Sequence, residues 1–84
     1  MAATNMKTDS SANALRAVKV GINQLYRYAR DKASTNDDAL MVMAGIQMLA
    51  GDIDLAEKTD VITAKELNKF IKGARHLAVR TAKI

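Results

Sequence analysis

Residues 37–58 read "DDALMVMAGIQMLAGDIDLAEK", and whether this run makes one helix or two decides the fold. At a turn of about 100° per residue, Val42, Ile46, Leu49 and Ile53 line up in one apolar row, and Met41, Met48 and Leu55 in another. A helix that is apolar nearly all round sits at the centre of its bundle or at a subunit interface. Gly51 followed by Asp52 is the weak point. Glycine disfavours a helix interior by ~1 kcal/mol relative to alanine, which permits a break without compelling one. The methionines Met41, Met43 and Met48 suit adaptable packing, and Met41, Ile46, Met48, Leu49 and Leu55 are the candidate interface residues.

On either side of this run the period stays helical. There is no proline, and the β-branched residues are scattered rather than alternating. Upstream, Leu15, Val18, Ile22, Leu25, Tyr26 and Ala29 recur at three and four residues, with Ser10 or Ser11 as N-cap. Tyr26 falls on the core side of this stripe and Tyr28 at its rim. The polar "DKASTND" ends that helix, and Thr35 with Asp38 has capping-box spacing for the next. Downstream, Thr63 and Glu66 make a cleaner capping box, after which Leu67, Phe70, Ile71, Ala74, Leu77, Ala78 and Thr81 form an inward face. The expected fold is all-α: a compact three-helix bundle with helices near 11–32, 36–59 and 63–82. Residues 1–9 are expected to be a flexible polar tail and 10–84 a single helical domain. An 84-residue chain buries only about 60% of its unfolded surface, and it has no cysteine to staple it, so a dimer or higher oligomer is expected.

The net charge of +4 is unevenly spread. Helix one carries Arg16, Lys19, Arg27, Arg30 and Lys32 against Asp31 alone. Helix two and its loops carry Asp37, Asp38, Asp52, Asp54, Glu57 and Asp60 against Lys58, and helix three is basic again. On helix three, Lys65, Lys69, Lys72, His76, Arg80 and Lys83 fall in one strip opposite the apolar face, with no acid among them. Arg16, Lys19, Arg27 and Arg30, with Asn23 between them, form a second strip on helix one. Each cation that neutralises a phosphate releases a counterion, so such strips suit a nucleic acid. The ordinary alternative is that they are solvated outer faces.

The inventory argues against catalysis. His76 is the one histidine, and it sits among cations with no carboxylate to orient it. Counting a calcium loop from Asp52 puts Glu57 where glycine is needed and Thr63 where a carboxylate is needed. The glycines are isolated, so no phosphate-cradling loop forms. No enzyme activity, cofactor or metal site is expected. The opening twelve residues lack the apolar core of a secretory signal. The apolar run 39–51 falls short of the ~20 residues of a membrane span. A cytoplasmic protein with no transmembrane segment is therefore expected.

Within this frame, "LAEKTDV" followed by "LNKFIKGAR" resembles the helix-turn-helix of small bacterial and phage repressors, over Leu55–Arg75. The resemblance implies that Ala56 permits close helix approach, Val61 follows the turn, and Leu67, Phe70 and Ile71 anchor a reading helix. Lys65, Asn68, Lys69 and Lys72 would then face the groove or its phosphates. It requires helix two to break at Gly51–Asp52, and Asp60 stands where the family's turn carries glycine. Residues 36–58 are also similar in apolar spacing to the helical rod and needle subunits of type III secretion, without their proline-containing hairpin.

The functional expectation is a non-enzymatic helical protein that binds DNA through basic helix faces, in the manner of a phage- or plasmid-type regulator. Lys65, Lys69, Lys72, Arg75, His76 and Arg80 carry it, joined by Arg16, Lys19, Arg27 and Arg30. The alternative is a protein-binding or self-assembling module (inhibitor, adaptor or filament subunit) that uses the methionine-bearing second helix, with the cations steering an acidic protein surface.

Overall fold

The computed structural model describes the backbone of residues 2–59 and 62–84, and the side chains of 12–59 and 62–84. Three helices follow one another: α1 Ala2–Lys32, α2 Asp37–Thr59 and α3 Ala64–Ala82. Each packs on the other two, so the expected three-helix bundle is present. The short turns make α2 antiparallel to α1 and leave α1 and α3 parallel. The molecule measures 52 × 20 × 17 Å, and its long dimension reflects α1, which rises about 46 Å at ~1.5 Å per residue.

α1 begins at Ala2, so the backbone of residues 2–9, expected as a tail, continues the helix. Ser10 and Ser11 lie inside it rather than at its N-cap, and their side chains fall outside the described residues. No proline or glycine stands in this opening stretch to stop the helix. At the other end Thr35 closes α1, its backbone N–H donating to the Lys32 carbonyl at 3.2 Å. The next helix is capped one residue later than expected. Asn36 Oδ1 accepts from the Asp38 amide at 2.9 Å, so Asn36 and not Thr35 is the N-cap of α2. The cap of α3 matches its sequence pattern. Thr63 Oγ1 accepts from the Glu66 amide at 3.1 Å, and the Glu66 carboxylate accepts from the Thr63 amide at 3.3 Å.

The core is one cluster drawn from all three helices. Leu15, Ile22 and Ala29 of α1 meet Val42, Ile46, Ile53 and Ala56 of α2 and Phe70 and Leu77 of α3. Each large aliphatic among them contributes about 1.5–3 kcal/mol on burial. Thr81 is the one polar residue that is buried among the described residues, and its hydroxyl donates to the Leu77 carbonyl at 2.6 Å. α2 and α3 pack tightly at Gly45, where an added Cβ would lie 2.9 Å from Leu77 Cδ2.

α2 runs unbroken through Gly51 and Asp52. This removes the helix-turn-helix, which needs a short helix before its turn. Ala56 is buried as that motif would have it, but within a 23-residue helix. Asp60 and Val61, the turn positions of the motif, lie outside the described residues. Packing explains the continuity. Leu49 and Ala50 before the glycine and Ile53 and Ala56 after it all lie against the core, and their burial offsets a ~1 kcal/mol propensity loss.

Candidate binding surfaces

Three surfaces remain once the core is assigned: the basic row on α3, the basic row on α1, and the apolar parts of the helices that the bundle leaves uncovered. Along α3 and its C-cap residue Lys83, Lys65, Lys69, Lys72, His76 and Lys83 are all exposed, while Arg80 is half-buried. Lys65, Asn68, Lys69 and Lys72 line one shallow hollow of about 520 Å³. Helical spacing sets these side chains one turn apart on a rigid rod. Arg80 and Lys83 end the row beside Asp38, Val42 and Ile84. Arg75, expected in the same site, lies elsewhere: it lines a groove between α3 and α1.

The α1 row differs in its electrostatics. Lys19 Nζ reaches Glu57 Oε1 at 2.9 Å and Asp54 Oδ1 at 4.0 Å, and these are the only ion pairs among the described residues. Arg16, Arg27 and Arg30 are exposed. Lys32 sits 4.9 Å above the Tyr28 ring, a cation–π contact on the surface of α1.

The two rows do not merge. Lys19 borders α2 on the side of Asp54 and Glu57. On the other side, Lys69 shares a hollow with Asp52, Leu55 and Ala56. The outer face of α2 therefore stands between them. Sequence alone shows the period of each row but not the placement of a third helix between the two.

That outer face is strongly apolar. Leu40 is 51% exposed, Met41 57%, Met48 73% and Leu55 64%. Exposed Ala44, Gln47 and Gly51 fill the spaces between them. Among the described residues α2 is the one helix long and apolar enough to cross a membrane, and only 28% of its most apolar 18 residues are buried. Of the five expected interface residues, Met41, Met48 and Leu55 face outward. Ile46 is 2% exposed and lies in the core, and Leu49 is half-buried against Gly73. The sequence shows two apolar rows of similar strength, and only the packing shows which of them turns inward.

Sequence reasoning missed Leu40 and the groove on the far side of the bundle. There α1 and α3 present Ala14, Ala17, Gly21, Ala74 and Ala78 around an open apolar space of about 560 Å³, with Arg75 its one charged lining residue. The signal was present as small residues at spacings of three and four. Among the described residues no group of three or more acidic or histidine side chains is placed to hold a metal ion. Set against known proteins, the chain matches no family model, no curated protein and no solved structure.

Proposed function

We propose that this chain is a small non-enzymatic helical binding protein that docks on nucleic acid, DNA in the first instance, through the cationic row of α3. The observation that carries the reading is the hollow in which Lys65, Lys69 and Lys72 converge, all exposed and in no ion pair with another described residue. Their partner would be a phosphate backbone, which calls for charge at helical intervals and makes little demand on base identity. His76 adds a donor in the same row. The setting we propose with it is a cytoplasmic regulator of phage or plasmid type.

The test is a fluorescence-anisotropy titration of random duplex DNA. With about four phosphates engaged, affinity falls roughly 10²-fold between 50 and 200 mM salt. Lys69→Glu/Lys72→Glu is expected to abolish binding at low salt. A double mutant that binds as wild type would overturn the assignment.

A second reading, a self-assembling helical module, is favoured by a different observation. Leu40, Met41, Met48 and Leu55 form a continuous exposed apolar face on a chain of only 84 residues. Apolar patches of that kind mark interaction surfaces.

A further inference from the structure

The apolar face of α2 lies on one side of the bundle, and an open apolar groove between α1 and α3 lies on the other. We infer that the α2 ridge of one copy seats in the α1/α3 groove of a second copy, a head-to-tail contact between identical chains. This rests on the assembly reading and is independent of nucleic-acid binding.

Size complementarity comes first. The ridge carries long side chains, with Met48 and Leu55 the most exposed of them. Five of the ten residues that line the groove are small: Ala14, Ala17, Gly21, Ala74 and Ala78. A Cβ built on Gly21 would meet nothing within 4 Å, so room for an incoming side chain already exists there. Small residues on the receiving helices let a third helix approach toward the short end of the usual ~8–10 Å interaxial range. The spacing also agrees: Ala14 to Gly21 and Met48 to Leu55 each span two helical turns, about 10 Å.

Charge makes the same choice of partner. Arg75 is the one charged residue in the groove lining, and Asp52 stands exposed beside the ridge, so seating brings opposite signs together. A symmetric contact of α2 on α2 would instead set Met48 and Leu55 against their own kind. Because ridge and groove lie on opposite sides of one bundle, the contact is heterologous and leaves a bare ridge and a bare groove on every dimer.

The experiment is sedimentation velocity on the full chain over a wide concentration range, with two variants. Met48→Asp/Leu55→Asp breaks the ridge, and Gly21→Leu fills the groove; all three positions point away from the core, and circular dichroism checks the fold. Wild type is expected to grow past the dimer as concentration rises, and each variant alone to sediment as a monomer. Mixed one to one, the variants are expected to form a dimer and stop there, since one retains an intact groove and the other an intact ridge. If Gly21→Leu assembles as wild type does, or the mixture stays monomeric while wild type grows, the head-to-tail contact is wrong although assembly itself stands. A wild type that stays monomeric throughout removes both.

Discussion

Gly45 and Gly51 lie on the same helix, yet a methyl group has opposite effects at the two. At Gly51 an added Cβ meets nothing within 4 Å, so alanine gains helix propensity at no steric cost. Gly51→Ala is expected to stabilise the chain by ~1 kcal/mol. At Gly45 the new atom would lie 2.9 Å from Leu77 Cδ2, so the tip of that buried side chain must shift. Overpacking costs ~1–3 kcal/mol, and propensity returns ~1, so Gly45→Ala is expected to lose about 1 kcal/mol. Thermal melts of both variants, run dilute, check the pair; equal shifts of the same sign would contradict the close α2–α3 contact. Legibility at this scale depended on how local the chemistry was. The Thr63–Glu66 cap could be read directly because both partners lie within one turn. The cap of α2 could not, since Thr35 and Asn36 both carry suitable oxygens and only the course of the backbone chooses between them.

For the elements, the decisive question was whether α2 continues past Gly51. Ile53, 0% exposed, is the strongest tie beyond that point. Ile53→Ala is expected to cost about 2–5 kcal/mol in chemical denaturation, the range for a large-to-small change in a packed core. A loss below ~1 kcal/mol would mean that the C-terminal part of α2 is not seated on the bundle. Periodicity identified all three helices because each has a recurring apolar stripe. It could not rank the two stripes of α2, because Val42, Ile46 and Ile53 are about as apolar as Met41, Met48 and Leu55. The bundle took Val42, Ile46 and Ile53, all branched at Cβ, inward and left Met41, Met48 and Leu55, none of them branched at Cβ, outside.

Over the whole molecule, the bundle divides the cations into two groups. Each row was visible as a period in the sequence, whereas their separation depends on where α2 lies, which no local pattern encodes. This has a measurable result under the nucleic-acid reading. The row on α3 is free of ion pairs among the described residues, and that on α1 is partly neutralised through Lys19. Arg16→Glu/Arg27→Glu is therefore expected to weaken DNA binding less than tenfold under conditions where Lys69→Glu/Lys72→Glu abolishes it. Equal losses in an anisotropy titration would mean that both sides of the molecule bind, as a wrapped or bridged complex would require.

The up-down-up order with short turns also bears on how the chain reaches its structure. Helices adjacent in sequence are adjacent in space, so two of the three packing surfaces form between neighbours. Bundles of this kind fold in microseconds to milliseconds. The sequence has no proline and no cysteine, so the two common causes of a slow step, prolyl isomerisation and thiol rearrangement, are absent. Dilute stopped-flow refolding, followed by far-ultraviolet circular dichroism, is expected to finish in one fast phase. A phase lasting seconds that lengthens on dilution would instead mean that separate chains must meet before the fold is complete.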